Sequence, residues 1–132
     1  MRNLLCIILI SVFIAGCATG QLGGWGSGTQ QTRAQHMLAI GIDDYEDGRY
    51  GEATKGIQGA LDMGLNPTDQ VKAYKHLAFV QCVSGKERLC REAFRKALEI
   101  NSNLDLTPAE AGHPTWGPIF RSLKSKKPEP KK

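Results

Sequence analysis

The sequence lacks the residue patterns on which most enzymes depend. It has no Gly-rich phosphate-binding loop, no pair of catalytic carboxylates and no Ser/His/Asp arrangement. Its three histidines lie on three different predicted elements, which disfavours a zinc site. His76 and Cys82 are six residues apart on one predicted helix and face opposite sides, which disfavours a Cys–His nucleophile. We therefore expect no catalytic residue, no metal, no cofactor and no small-molecule substrate.

The chain also lacks a basic patch of the kind that binds nucleic acid, although its formal net charge is +4. Residues 33–120 carry ten basic and twelve acidic residues, so this part is slightly acidic. The positive excess comes from Arg121 and from the five lysines between Lys124 and Lys132. Because nucleic-acid binding needs basic residues clustered on a folded face, we expect no nucleic-acid partner.

No apolar run is long enough to remain as a membrane-spanning helix. The run from Leu4 to Ala15 follows a single Arg2 and is typical of a cleavable signal peptide, which we assign to residues 1–16. Its last residues, Ile14-Ala15-Gly16-Cys17, resemble the lipobox of bacterial lipoproteins. An ordinary secretory signal that happens to precede a cysteine is the alternative.

The lipobox resemblance implies that Cys17 is acylated, and this covalent lipid is the membrane anchor that we expect. Several acyl chains on one residue give stable anchoring. Ala18 stands where lipoproteins retained in the inner membrane usually carry Asp, which implies the periplasmic face of the outer membrane. In that oxidising compartment Cys82 and Cys90 are expected to form a disulfide across the Gly85 turn. A redox-active pair is disfavoured because the spacing is not Cys-x-x-Cys.

The mature chain divides by composition into three parts. Residues 17–31 contain the lipidated cysteine and a Gly-rich segment, which predicts a flexible tether. Residues 32–124 form the predicted helical domain. Residues 125–132 contain two prolines and no apolar residue, which predicts a disordered basic tail. Contact of this tail with anionic lipid or peptidoglycan is an open alternative.

Apolar residues in the central part recur at helical spacing and predict an all-α domain. The helices form two pairs, and Gly48 separates the helices of the first pair as Gly85 separates those of the second. Superposing these glycines gives a repeat of 37 residues. The repeat resembles the tetratricopeptide (TPR) helix hairpin in its small, aromatic and aliphatic positions. These positions fall on Gly41, Gly48, Tyr50, Ala53, Ile57, Ala60 and Leu61, and on Ala78, Gly85, Cys90, Phe94, Ala97 and Leu98.

Two repeats need a cap, because each repeat exposes an apolar face that its neighbour must cover. Thr107 and Glu110 form a capping-box pattern around Pro108 and predict a short helix that ends at Gly112. A further helix with Pro118 in its first turn then follows. We predict that its apolar face docks on the second hairpin. That face consists of Trp116, Ile119, Phe120 and Leu123.

In TPR arrays the first helix of each hairpin lines a concave groove that binds a peptide or partner helix. The resemblance therefore implies a groove that is apolar with a basic edge and binds an amphipathic protein segment. The alternative is that the C-terminal capping helix fills the groove and leaves these residues in the core. The predicted partner-binding residues are Leu38, Ile42, Tyr45, Lys72, Lys75 and Phe79.

The segments from Cys90 to Leu98 and from Leu104 to Arg121 resemble small TPR lipoproteins of the TssQ type, which are associated with type VI secretion systems. The resemblance implies a lipid-anchored scaffold that binds a protein component of an envelope machine in the periplasm. Two alternatives are a pilot or assembly factor for pili or outer-membrane proteins, and a regulator of a peptidoglycan-processing enzyme.

Overall fold

The computed structural model describes residues 25–126, with side chains from Gly28 onward. The predicted signal peptide, the lipidation site Cys17 and the last six residues of the tail lie outside these residues. The described part contains six helices and no strand. The helices are α1 (Trp25–Glu46), α2 (Tyr50–Met63), α3 (Pro67–Val83), α4 (Glu87–Ile100), α5 (Pro108–Ala111) and α6 (Gly117–Ser125).

The two hairpins, α1–α2 and α3–α4, repeat the same turn with an offset of 37 residues. Gly48 and Gly85 both have positive φ, at 76° and 74°, a conformation that glycine adopts without steric cost. The amide of Arg49 donates to the carbonyl of Asp44, and Lys86 donates to Gln81 in the same way. This is the Schellman pattern that ends a helix. The all-α fold with two TPR-like hairpins is thus confirmed.

The two helices of the first hairpin approach each other most closely at Gly41 and Gly56. A Cβ atom on Gly41 would lie 2.9 Å from the backbone nitrogen of Ile57. The corresponding positions of the second hairpin are Ala78 and Ala93, so small residues mark the crossing in both. Absence of a side chain at these places lets α1 and α2 pack backbone against backbone.

The core lies between the hairpins and under the C-terminal segment. Its largest fully buried side chains are Phe94, Ile57, Val80 and Cys90. Cys82 and Cys90 are joined by a disulfide with their Cα atoms 5.1 Å apart, which links the end of α3 to the start of α4. Buried apolar area of this kind is the main source of free energy for folding.

The starts of the later helices follow the predicted signals. The Asn66 side chain accepts from the amide of Asp69, with Pro67 in the first turn of α3. Thr107 and Glu110 form a complete capping box on α5. Gly117 begins α6, and Phe120 of α6 packs against Phe94 of α4 with the ring centroids 5.2 Å apart. The predicted docking of this helix on the second hairpin is confirmed.

The structure differs from the predicted tether at its C-terminal end. Helix α1 begins at Trp25, so residues 25–31 are helical although they were assigned to the flexible segment. Two side-chain contacts hold this first part of α1 against the domain. The Gln30 side chain donates to the carbonyl of Met63, and the Gln31 side chain donates to the carboxylate of Asp69. Tertiary contacts thus override a composition that is unfavourable for a helix.

Candidate partner-binding site

The predicted groove residues lie on α1 and α3, and three of them are not accessible. Leu38, Ile42 and Phe79 are buried, and Phe79 is only 2% exposed. They pack in the core with the neighbouring helix, because α1 and α3 lie against each other. The expectation that these three side chains form an open apolar groove is therefore corrected.

The groove is covered at Phe79 by the chain segment that joins α5 to α6. The Trp116 ring stacks on Phe79 with the centroids 4.5 Å apart, and its indole N–H donates to the carbonyl of Glu110 at 2.8 Å. The His113 ring stacks on the Trp116 ring. Large aromatic surfaces bury much apolar area in such stacks, so this segment occupies the place of a ligand.

The two predicted lysines behave differently from each other. Lys75 donates to the Glu110 carboxylate at 2.7 Å, and both side chains are about one fifth exposed. Lys75 also lies over the Phe79 ring at 5.8 Å from its centroid. Lys72 is exposed, and among the described residues its side chain forms no ion pair. Lys72 is consequently the predicted basic residue that remains available to a partner.

An accessible surface remains at the edge of the filled groove, and we call it the groove rim: Tyr45, Tyr50, Lys72 and His76. The Tyr45 ring lies 6.2 Å from the Tyr50 ring and 6.3 Å from the His76 ring. The Nδ1 atom of His76 is 2.8 Å from the carbonyl of Lys72, one helical turn earlier. The rim therefore combines aromatic surface with one free positive charge, a composition suited to protein recognition.

The electrostatics of the rim follow from its partial burial. Burial raises the pKa of Tyr45, and the neighbouring Tyr50 and Glu110 raise it further. Burial also lowers the pKa of His76, and the nearby charges of Lys75 and Lys72 act in the same direction. At neutral pH the His76 ring is thus uncharged and presents a polar aromatic surface.

Glu110 is an acidic group beside this site. Its burial would raise the pKa, but the hydrogen bonds from Lys75 and from the Thr107 amide outweigh burial, so the pKa of Glu110 is lowered. The carboxylate is ionised at neutral pH and holds Lys75 in place.

No group of three or more His, Cys, Asp or Glu side chains within residues 25–126 is placed to hold a metal ion. No helix in this range is long and apolar enough to cross a membrane.

Comparison with known proteins supports a TPR-like protein. The chain is 36% identical over 63 residues to the photosystem I assembly protein Ycf3 of Parasynechococcus marenigrum strain WH8102, a match covering 48% of this chain and 36% of the relative. It is 33% identical over 81 residues to the Ycf3 protein of Synechococcus sp. strain CC9605, covering 60% and 47%. The chain thus spans less than half the length of these relatives. No protein-family model and no solved structure matches it.

These relatives contain TPR repeats and carry the name of assembly proteins, not of enzymes. These matches and the helix hairpins together support a TPR-like protein.

Of the predicted partner-binding residues, Tyr45 is partly exposed and Lys72 is exposed, whereas Tyr50 and His76 of the rim were not among the predicted residues. Tyr50 was assigned only a packing role in the hairpin turn, yet its side chain is 39% exposed. The spacing of Tyr45 and Tyr50 across the Gly48 turn was the available signal, because residues that flank a tight helix turn lie close in space.

Proposed function

We propose that this protein is a lipid-anchored TPR adaptor of the bacterial cell envelope that binds a segment of a partner protein at the groove rim. The observation that carries the proposal is the rim itself, where aromatic side chains and Lys72 remain accessible beside a groove that the chain fills with its own Trp116. Because the apolar floor is already covered, the partner contacts aromatic edges and a lysine instead of inserting a large apolar face.

The envelope location rests on the lipobox-like residues Ile14 to Cys17 and on the disulfide between Cys82 and Cys90. Such disulfides persist in oxidising compartments and are rare in the cytosol. An acylated Cys17 at the start of the mature chain tethers the domain to the periplasmic face of the outer membrane. Resemblance to the TssQ type points to a type VI secretion system as the machine that the partner belongs to.

The site is tested in cells that express the full chain with a photo-crosslinking phenylalanine analogue at position 50. Leu89 on α4 is the matched control, because it is 37% exposed and lies outside the rim. We expect a specific adduct with one envelope protein from position 50 and none from position 89. In a second step, Lys72→Glu reduces the yield of that adduct. Equal adducts from both positions would exclude the rim as the binding site.

The anchor is tested separately with Cys17→Ser. We expect the unaltered chain to incorporate labelled palmitate and to fractionate with the outer membrane, whereas Cys17→Ser incorporates no label. Retention of the label in Cys17→Ser would show that the lipid is attached elsewhere or that residues 14–17 are not a lipobox.

An assembly factor is the second candidate, and the names of the relatives favour it. An assembly factor binds a partner before the machine is complete and is absent from the finished machine, whereas a scaffold stays in it. Purification of the crosslinked adduct from cells that lack a late component of the machine separates these roles. A regulator of a peptidoglycan-processing enzyme would instead co-sediment with isolated cell wall.

A further inference from the structure

One face of α1 carries two apolar side chains that the rest of the described domain leaves accessible. Met37 is 37% exposed and Ile40 is 47% exposed. Charged or polar residues continue the same face at intervals of three and four residues in both directions. We call this surface the outer α1 face: Arg33, His36, Met37, Ile40, Asp43 and Asp44.

The outer α1 face is the surface on which one repeat stacks on another. In the 37-residue repeat, Ile40 corresponds to Leu77 and His36 corresponds to Ala73. Leu77 and Ala73 are buried, and their helix α3 packs against α2 of the preceding hairpin. Hairpin α1–α2 has no such neighbour within residues 25–126, so its stacking surface is open.

This surface has the shape of a shallow depression of about 500 Å³ between α1 and the end of α2. Met37 and Ile40 line it from α1 and Met63 lines it from α2. The Met37 sulfur lies against Gly59, where an added Cβ atom would be 2.8 Å from it. Methionine side chains adapt their shape to a contacting surface, which suits a protein interface.

The charges on the outer α1 face change sign across Ile40. Arg33 lies toward the N-terminal end, and the acidic residues Asp43 and Asp44 lie toward the C-terminal end. The span from Arg33 to Asp43 is about 15 Å at the rise of an α-helix. When two such helices pack antiparallel with Met37 of one opposite Ile40 of the other, Arg33 of each helix lies beside Asp43 and Asp44 of the other.

We propose that the outer α1 face is a two-fold symmetric interface between two copies of this chain. The face is complementary to itself in charge, as the isologous interface of a C2 dimer requires. Asp44 and Asp47 also contact Arg49 of their own chain. Arg33 and Asp43 form no ion pair among residues 25–126, so both are available to a second copy. This proposal does not depend on what binds the groove rim.

A second exposed apolar depression, within the part of the chain that the structure describes, does not offer a matching surface. It lies between α4 and α6, with Leu98 and Leu123 among its lining residues. Its charged lining consists of Arg95, Glu99, Lys124 and Lys126, with a positive excess. This excess would oppose Arg33, so head-to-tail stacking of copies is disfavoured.

The first test uses Ile40→Cys in the full chain, oxidised in intact cells and separated without reductant. Position 40 lies within two residues of the two-fold axis, close to the same position of the second copy, so we expect a disulfide-linked dimer with twice the mass of the chain. Leu89→Cys is the control with similar exposure, and the unaltered chain, in which Cys82 and Cys90 are joined to each other, gives the baseline. An equal dimer yield from Ile40→Cys and Leu89→Cys, or an adduct with a different protein, overturns the proposal.

The second test uses charge reversal in the Ile40→Cys chain. Arg33→Asp places acidic groups opposite each other and should reduce the dimer yield about fivefold. Arg33→Asp combined with Asp43→Arg restores opposite charges and should restore the yield. The two residues are ten apart on one helix and do not pair within a copy. A double variant that crosslinks no better than Arg33→Asp would exclude the antiparallel arrangement, and circular dichroism confirms that each variant is folded.

Discussion

The indole ring of Trp116 covers the phenyl ring of Phe79, with the ring planes inclined by 27°. This stack joins the C-terminal segment to α3, although the two residues are far apart in the sequence. It removes Phe79 from solvent and closes the floor of the groove. The same contact therefore stabilises the domain and restricts partner binding to the groove rim.

We expect Trp116→Ala to lower the free energy of unfolding by about 3–5 kcal/mol, because it removes a large buried ring and leaves a cavity over Phe79. Trp116→Phe keeps an aromatic ring and loses the hydrogen bond to Glu110, so its cost should be about 1–2 kcal/mol. Urea denaturation of both variants measures these values. If Trp116→Ala unfolds at the same urea concentration as the unaltered chain, then the segment does not cover the groove in solution.

Alanine substitutions at Gly41 and Gly51 should change the stability of the domain in opposite directions, because only Gly41 lies where α1 and α2 approach closely. Gly41→Ala should destabilise the domain by about 1–2 kcal/mol, because the new methyl group meets the Ile57 backbone. Gly51→Ala meets nothing within 4 Å and should stabilise it by about 0.5–1 kcal/mol through helix propensity. Thermal unfolding of the pair checks this. Stabilisation by both would mean that α1 and α2 are further apart.

The disulfide between Cys82 and Cys90 closes a short loop and should contribute about 2–3 kcal/mol by restricting the unfolded chain. We expect a reductant to lower the unfolding temperature of the unaltered chain. The double variant Cys82→Ala, Cys90→Ala should unfold at this lower temperature with or without reductant. A double variant that still responds to reductant would indicate that another cysteine carries the effect.

The lowered pKa of His76 makes stability depend on pH in a defined direction. In the unfolded chain His76 takes up a proton below pH about 6.5, whereas in the folded chain it does so only at lower pH. The unfolded state therefore binds more protons in this window, and stability falls as pH falls through it. Below the pKa of His76 in the folded chain, this side chain is protonated in both states and the loss of stability is complete.

His76→Phe keeps a ring between Tyr45 and Phe79 and removes the titrating group. We expect the difference in stability between pH 7.5 and the more acidic values to be smaller in this variant than in the unaltered chain. Equilibrium denaturation across the pH series is the measurement. Identical pH profiles would mean that His76 is solvated in the folded protein.

Local signals in the sequence were sufficient for the helices and their ends. Gly48 and Gly85 fix the two turns because both need positive φ. Pro67 and the Thr107–Glu110 pair fix the starts of α3 and α5 through groups within four residues. Such signals act over a few residues, so they can be read without knowledge of the fold.

Local signals of this kind could not predict whether the groove is open or covered. Leu38, Ile42 and Phe79 have the same sequence pattern whether a partner or the chain itself covers them. Phe79 is covered by Trp116, and the Lys75 side chain is paired with Glu110, which lies 35 residues away. Composition likewise did not reveal that α1 extends back to Trp25, because long-range contacts of Gln30 and Gln31 hold it.

The sequence by itself thus determined the helical repeat, its turns, its caps and the segment that closes the array. Only the tertiary structure decided which residues of the concave side stay accessible and which face of α1 remains open. The physical reason is that turn and cap energies arise within one or two helical turns, whereas burial is a property of segments that meet only after folding.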